Sequence, residues 1–458
     1  MAASAQSTTD RESRSFRAVA AFYLKPRPLG AFLLGISSGF PLTLLIWTMA
    51  YWLSKVGLDK KTIGYAFALG TPYTIKFLWA PLIDGVPIPV LTRLLGQRRA
   101  WLWTVQALLA VALIQLGASD PLHHIGRFAA WGMIVAFLSA TQDIVIDAYR
   151  IESLPDDELA QGTATNQVGY RTGDLLAGAG TIYLASNEGM RLGWAVAYAV
   201  TALLVLPGAI ASLWLGPGRH TPVRERRLGI AASAEFLRYN VVAPFTDFLK
   251  RRGAWMILLF VLTYKIGDAL GQNMLSPMIV HQGFTDTEYI AINKLVRFWS
   301  LAIGSLVAGA LIARFGMIRL LFGAGIIMMI ANLMFSAVAS TGHSVPMLTL
   351  AVATENLFTA ISLTVFVTYL AGLSNTAFTA TQYALLTSVA AVGRTFATTP
   401  SGILADHLGF PAFYVFCAFL GIPGLIFLWF MRRGGVIVET VRQKGVQAAE
   451  VEEGEEPV

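Results

Sequence analysis

Charged residues are scarce in this sequence of 458 residues. Asp, Glu, Lys and Arg make up 13% of the chain, whereas about 25% is usual in soluble domains. Hydrophobic residues reach 55%, and the mean hydropathy is +0.60. The shortage of charge excludes an ordinary soluble domain and predicts a protein of the lipid bilayer.

Several chemical signatures are also missing. Cys417 is the only cysteine, which excludes an intramolecular disulfide and a cysteine-rich metal site. The six histidines show no metal-ligand spacing within a helix, so no metal is expected. No Gly-Lys-Ser/Thr phosphate loop occurs, which argues against ATP-driven transport. No nucleophile–base–orienter set stands out either, so neither an enzyme nor a bound cofactor is expected.

Long apolar segments recur along the chain. A helix needs roughly 20 apolar residues to cross a hydrocarbon core of about 30 Å. Twelve segments of this kind predict an all-α membrane protein with spans at 28–55, 61–84, 99–118, 124–151, 158–186, 191–215, 253–281, 286–314, 317–340, 346–372, 376–406 and 409–432. The first 25 residues are polar and lack a long apolar region, so no removable signal peptide is expected.

The net charge of +7 follows the predicted topology. The N-terminus, the loops from even to odd spans and the C-terminus hold 23 of the 34 Lys and Arg residues, and the opposite loops hold five. The positive-inside rule then places both termini in the cytoplasm. Basicity here indicates membrane orientation, and no nucleic-acid partner is expected.

The chain divides into two halves that resemble each other. Gly193, Tyr198, Pro207 and Gly208 of span six each recur 216 residues later in span twelve. Such internal repeats are common in secondary transporters. The predicted domains are a polar N-terminus, a six-helix bundle, a cytoplasmic linker, a second six-helix bundle and a disordered acidic tail, at 1–27, 28–215, 216–252, 253–432 and 433–458. The linker sequence is equally consistent with an amphipathic surface helix and with an ordinary connection.

The loop after span two carries a recognisable pattern. Ala80-x-x-x-Asp84, followed by Gly96-Gln-Arg98-Arg99, resembles the signature between the second and third helices of the major facilitator superfamily. Ala80 replaces the usual glycine, and the spacer is longer than the common form. The resemblance implies a fold of two six-helix bundles around a central cavity.

Within that superfamily, the segments FLWAPLID, TQDIVIDAYR, ATQYALLTS and PSGILADHLGF resemble the AmpG-type muropeptide permeases. The related acetyl-CoA transporters share the QDIxxDA element. The resemblance covers residues 28–432. It implies a bacterial inner-membrane protein whose cargo is the disaccharide GlcNAc–1,6-anhydro-MurNAc, with or without its stem peptide.

Ionisable residues inside the spans are the most informative feature. A charge at a helix centre costs about 2.5–3.5 kcal/mol, so these groups are expected to face a wet interior or a partner. Spans three, six, nine and twelve have none away from their ends, and the resemblance makes those four the peripheral helices. The embedded groups are Lys76, Asp143, Asp147, Arg171, Asp174, Lys265, Asp268, Lys294, Arg297, Glu355 and Arg394.

The embedded charges differ between the halves. The first half sums to −1 and the second to +2, which favours an anionic substrate docked mainly against Lys265, Lys294, Arg297 and Arg394. The full predicted substrate set is Lys76, Gln142, Tyr149, Arg171, Lys265, Asp268, Asn273, Lys294, Arg297, Glu355, Gln382, Tyr383 and Arg394. Asp84, Arg98 and Arg99 are predicted to form a gating cluster.

Asp143 and Asp147 stand four residues apart and so share one helix face. Desolvation and a like-charged neighbour can let such a pair exchange a proton, which predicts that they couple transport to the proton gradient. The alternative is that one aspartate pairs permanently with Lys76. Other structural alternatives are an Arg171–Asp174 ion pair, and neutralisation of Lys294 and Arg297 by Glu355 and Asp268.

Prolines lie inside several predicted spans, among them those at positions 41, 72, 277 and 400. Proline removes a backbone hydrogen bond and loosens a helix, which suits a protein that alternates between conformations.

The leading hypothesis is a monomeric, proton-coupled importer of an anionic glycopeptide, embedded in the bacterial inner membrane. One alternative is a carrier of acetyl-CoA or another nucleotide-bearing anion. An alternative of another class is a non-transporting receptor or scaffold, in which the charges only hold helices together.

Overall fold

The computed structural model describes residues 23, 25–58, 67–156, 158–187, 189–218, 241–285, 288, 291–398 and 400–434. Regular structure in these residues is helical, and no strand occurs among them. Nine helices in the described ranges are long and apolar enough to cross a membrane. The prediction of an all-α membrane protein is confirmed. We number the helices of the twelve spans α1 to α12.

The first half contains α1 to α6. Their bounds are Pro26–Lys55 for α1, Gln97–Gly117 for α3, Ile125–Ser153 for α4, Leu159–Leu175 continuing through Thr181–Ala185 for α5, and Gly193–Leu215 for α6. Helix α2 consists of the short pieces Phe67–Gly70, Thr71–Ile75, Lys76–Leu78 and Ala80–Gly85. A short helix, Leu91–Leu95, precedes α3.

The second half follows a linker helix, Ala243–Lys250, in which Pro244 and Phe248 are buried. The bounds are Ala254–His281 for α7, Ala291–Phe315 for α8, Met317–Thr341 for α9, Val345–Leu373 for α10, Thr379–Thr398 for α11, and the part of Ser401–Arg433 beyond Gly409 for α12. The other linker residues, 219–240, and the acidic tail lie outside the described residues.

Several helices around the embedded charges are irregular. Lys76 begins a 3-10 turn in α2, and Lys265 follows the end of the first α7 segment at Thr263. Three helices contain a π-helical turn, namely α1 at Leu44–Thr48, α5 at Leu176–Gly180 and α8 at Ala291–Val296. Breaks of this kind interrupt regular backbone pairing and often mark functional sites in membrane helices.

Predicted prolines coincide with some of these breaks. Pro41 lies just before the π turn of α1, and Pro72 starts one of the short pieces of α2. Pro277 sits inside α7 without ending it. Pro400 separates Thr379–Thr398 from the next helix, which begins at Ser401. The predicted span 376–406 is therefore two helical pieces.

Helices α1 and α5 approach each other at backbone distance. A Cβ atom added to Gly35 would lie 2.2 Å from the Asn166 carbonyl oxygen, and one added to Gly169 would lie 2.0 Å from the Phe32 oxygen. Small residues permit such close helix packing in membranes, where no hydrophobic driving force brings helices together. These contacts hold the two helices that carry Ser38, Arg171 and Asp174.

We predict that Gly169→Ala destabilises the protein. The added methyl group would meet backbone atoms of α1 that cannot move aside, and overpacking of this kind costs about 1–3 kcal/mol. The measurement is the thermal unfolding midpoint of the purified protein in detergent. Gly180→Ala is the matched control, because a Cβ there meets nothing within 4 Å. An unchanged midpoint for Gly169→Ala would contradict the packing described here.

Candidate functional site

Lys76 and Asp143 form an ion pair between α2 and α4. The lysine Nζ lies 3.2 Å from Asp143 Oδ2, and the side chains are 7% and 20% exposed. The Ser38 hydroxyl of α1 donates a hydrogen bond to the other carboxylate oxygen. Three helices thus converge on Asp143, and Lys76 is the partner that the sequence suggested as an alternative to proton exchange.

Asp147 faces a cation that the sequence analysis did not select. Arg150 lies within its own helix, and its Nη2 is 3.4 Å from Asp147 Oδ1. The guanidinium also donates to Thr163 Oγ1 at 2.8 Å and to the Tyr383 hydroxyl at 3.5 Å, so it links α4 to α11 in the other half. The signal was present, since Arg150 follows Asp147 by three residues, but its position at the span end suggested a loop.

Three arginines within the spans lack a carboxylate partner among the described residues. Among the described residues, no carboxylate lies within 4 Å of Arg171, Arg297 or Arg394. Arg171 stacks against the Tyr170 ring, with 5.6 Å between the guanidinium carbon and the ring centroid. Arg297 acts electrostatically on Arg171, and Arg394 acts on Tyr170. We call these three residues the arginine cluster; it combines α5 with α8 and α11.

The suggested ion pair of Arg171 with Asp174 does not form in this structure. Asp174 instead accepts a hydrogen bond from the Thr43 hydroxyl of α1. The spacing on α5 permits the pair, but a partner from the neighbouring helix competes for the carboxylate. Arg171 is thereby left available to another anion.

A second charged cluster lies in the other half. Lys265 Nζ is 3.2 Å from Asp268 Oδ2 within α7, as their spacing suggested. The Thr359 hydroxyl of α10 lies 2.8 Å from Glu355 Oε1 and 3.3 Å from Asp268 Oδ1. Glu355 is only 3% exposed. Lys265 therefore has an intramolecular counterion, which weakens its case as a substrate ligand.

Asp84 connects the two halves at one end of the bundle. Its Oδ2 accepts the Thr381 backbone N–H at 2.8 Å and the Thr381 hydroxyl at 2.6 Å, and its Oδ1 accepts the Ala380 N–H at 3.3 Å. These donors form the start of α11, where unpaired N–H groups and the helix dipole favour an anion.

Arg98 forms an ion pair with Asp84. Its Nη2 lies 2.6 Å from Asp84 Oδ1 and 2.7 Å from Glu152 Oε1, and all three side chains are buried. Two carboxylates against one guanidinium leave a net negative charge, which the start of α11 compensates. Arg99 is not part of this network, since its Nε donates to the Leu95 carbonyl at 2.7 Å. Glu152 was missed because its place at a span end suggested exposure.

Other predicted ligands serve packing in this structure. The Gln142 amide donates to the Ser37 carbonyl at 2.6 Å, and the Tyr149 hydroxyl donates to the Gly216 carbonyl at 2.5 Å. Gln382 donates to Asp247 at 2.7 Å and so joins α11 to the linker helix. Asn273 is exposed on α7. The side chain of Lys294 lies outside the described residues.

A cavity of about 670 Å³ opens sideways between α2, α3 and α4. It holds none of the charged groups described above, and its lining is apolar, with Pro72, Ile75, Trp79, Leu108, Val111, Ala112, Trp131, Met133, Ile134, Phe137 and Leu138. An apolar opening of this kind does not suit an anion, so the candidate site is the charged interior.

Two carboxyls outside the membrane spans are held in the charged form. Hydrogen bonds with the His123 ring and the Leu122 amide lower the pKa of Asp120. Hydrogen bonds from the Thr285 amide and the His343 ring lower the pKa of Glu288. Asp120 lies in the loop between α3 and α4 and Glu288 precedes α8, which makes both suitable controls for substitutions of buried carboxyls.

The sequence is similar to that of known transport proteins. Residues 29–292 match the family model described as Major Facilitator Superfamily. The anhydromuropeptide permease of Escherichia coli strain K12 is 34% identical over 413 residues, which covers 90% of this chain and 81% of that protein.

Solved structures share the fold at low sequence identity. The fucose:proton symporter FucP of Escherichia coli superposes with a TM-score of 0.63 and 15% identity, covering 89% of this chain and 98% of that one. The human organic anion transporter MFSD10 gives a TM-score of 0.61 and 16% identity, covering 91% and 100%. At these identities the likeness concerns the fold alone.

We predict that Asp84→Asn loosens the contact between the halves at this end. A hydrogen bond to a charged group contributes about 2 kcal/mol, so the population ratio of open to closed ends should rise roughly 30-fold. Spin labels at Arg93→Cys and Lys250→Cys, in a Cys417→Ser background, measure the distance across this end. A new population at longer distance is expected.

Asp120→Asn is the matched control, since Asp120 lies in the loop between α3 and α4 and takes no part in the network. An unaltered distance distribution in Asp84→Asn would show that the network does not hold this end together.

Proposed function

The chain belongs to the major facilitator superfamily, and within it to the AmpG-type permeases, and we propose that it imports peptidoglycan-derived muropeptides across the bacterial inner membrane. The proposed cargo is GlcNAc–1,6-anhydro-MurNAc with or without its stem peptide. Transport would proceed by alternating access and draw on the proton gradient.

The arginine cluster carries this proposal. An ionised side chain at bilayer depth is costly unless water, a partner or a ligand compensates it. Arg171, Arg297 and Arg394 come from both halves and have no carboxylate within 4 Å in the described chain. A purely structural network would be expected to neutralise them, as it neutralises Lys76 and Lys265. Three such cations suit an anionic ligand held between the halves.

The proposed ligand matches this surface chemically. The lactyl group of the anhydro-muramic acid, or the stem peptide attached there, supplies carboxylates that can accept paired hydrogen bonds from guanidinium groups. Tyr170 beside Arg171 offers a ring face for a sugar. The relation to an anhydromuropeptide permease at 34% identity favours this cargo over acetyl-CoA, which shares the negative charge.

The hydrogen bonds between Asp84 and the start of α11 close one end of the transporter in the proposed cycle. We assign this end to the cytoplasm, because the positive-inside rule places the loop between α2 and α3 there together with both termini. The halves 28–215 and 253–432 would then rock about the arginine cluster. Breaking the bonds between Asp84 and the start of α11 opens the cytoplasmic side and releases the cargo.

We predict that Arg297→Gln weakens substrate binding. Losing a charge-assisted hydrogen bond costs about 1.5–3 kcal/mol, so the Kd for the labelled disaccharide should rise about tenfold or more. Purified protein in detergent serves for the binding measurement, and proteoliposomes serve for uptake. Arg319→Gln is the matched control, because Arg319 is exposed at the start of α9.

The same assays distinguish the cargo. Wild-type protein that exchanges acetyl-CoA and ignores the disaccharide would replace the proposed substrate with a nucleotide-bearing anion. Wild-type protein that binds neither, while its arginine variants lose only thermal stability, would indicate a scaffold.

A further inference from the structure

We propose that Glu355 and Asp268, bridged by the Thr359 hydroxyl, form the proton-binding site of the transporter. This inference rests on the proposed function, since it assigns the group that carries the coupled proton. It also moves that role away from Asp143 and Asp147, which the sequence suggested.

One extra proton lets the bridging hydroxyl form hydrogen bonds with both carboxyls. Thr359 Oγ1 is within hydrogen-bond distance of both Glu355 Oε1 and Asp268 Oδ1, at 2.8 and 3.3 Å. A hydroxyl has one hydrogen to donate, so it cannot satisfy two ionised carboxylates at once. A proton on Glu355 completes the chain, because Glu355 then donates to Thr359 and Thr359 donates to Asp268.

The charge balance leads to the same result. Lys265 and Asp268 cancel each other as an ion pair at 3.2 Å. No cation lies within 4 Å of Glu355 in the described chain, and its Oε2 is buried without a hydrogen-bond partner, although the Gln272 side chain is nearby. The cluster is neutral when Glu355 is protonated, and when Glu355 is ionised it carries a buried negative charge with no cation within 4 Å in the described chain.

The two aspartates of α4 are placed differently. Asp143 has Lys76 at 3.2 Å and Asp147 has Arg150 at 3.4 Å, so each carboxylate has a cation that balances its charge. Neither needs a proton for neutrality. Glu355 and Asp174 are the embedded carboxyls without a cation within 4 Å among the described residues; of the two, Glu355 is buried and Asp174 is partly exposed.

The remaining charged and titratable groups suggest how proton and substrate are coupled. Arg297 of α8 acts electrostatically on Glu355 and belongs to the arginine cluster. An anionic substrate that engages Arg297 offsets the positive charge that acts on an ionised Glu355, so the carboxyl takes a proton instead. The groups that interact with the pair are Tyr264, Lys265 and Gln272 from α7, Arg297 from α8, and Tyr414 and Cys417 from α12.

This linkage has a definite sign. Protonated Glu355 leaves Arg297 to the substrate, so affinity for the anion is higher at low pH and falls as Glu355 ionises. Linkage is reciprocal, and substrate binding must therefore take up a proton. For a single linked proton the Kd rises at most about tenfold per pH unit.

Glu355→Gln in proteoliposomes tests the assignment. Glutamine mimics the neutral carboxyl, so exchange of internal unlabelled for external labelled GlcNAc–1,6-anhydro-MurNAc should continue, since exchange moves no net proton. Accumulation under an imposed pH gradient should be lost, and the Kd should no longer depend on pH. Glu355→Asp keeps a carboxyl and should recover part of the accumulation.

Glu288→Gln is the matched control, because this glutamate precedes α8 and takes no part in the cluster around Glu355. Asp147→Asn is the competing variant. If Asp147→Asn loses accumulation and keeps exchange while Glu355→Gln accumulates normally, the proton site lies on α4 and the inference is overturned. Equal loss of exchange and accumulation in Glu355→Gln would also overturn it, since it would identify a substrate ligand or a structural residue.

A measurement on the wild type covers the case in which Glu355→Gln does not fold. Adding the disaccharide to purified protein in weakly buffered detergent should raise the pH of the solution. A solution that stays at constant pH while the disaccharide binds would contradict the proposal. Failure of the wild type to bind or accumulate the disaccharide would instead refute the proposed function.

Discussion

The cost of an ionised side chain at bilayer depth governs this structure. Each embedded charge must have a counterion, a helix terminus or a wet interior, because lipid offers none of these. Lys76 and Lys265 have carboxylate partners, Asp84 has the start of α11, and the arginine cluster has no carboxylate within 4 Å among the described residues. The positions of the charged helices follow from these requirements.

The same requirement explains why the contact between the halves can be reversible. Asp84 and Arg98 are bound by directional hydrogen bonds and by an ion pair with Glu152, and apolar packing plays no part in these particular bonds. Polar bonds of this kind can be exchanged for bonds to water when the end opens. The glycine contacts of α1 with α5 lie within one half, where no separation is needed.

Hydropathy predicted the helical architecture and the embedded charges, and the resemblance of short motifs predicted the family. They did not predict partners, because these depend on which face of a helix meets its neighbour. Thr43 of another helix takes Asp174 away from Arg171, and Tyr149 turns towards Gly216. Arg150 was overlooked because a cation at the end of a span looks the same in a loop and in a buried bridge.

The π turns of α1, α5 and α8 change the orientation of one end of each helix relative to the other end. Each such turn accommodates one more residue than an α-helical turn, so the two ends of the helix are rotated relative to each other by about 100°. Residues on opposite sides of the turn can therefore face different surroundings. A single-residue insertion or deletion at Leu44–Thr48 or Leu176–Gly180 would re-aim the half of the helix beyond the turn and leave the glycine-packed half in register.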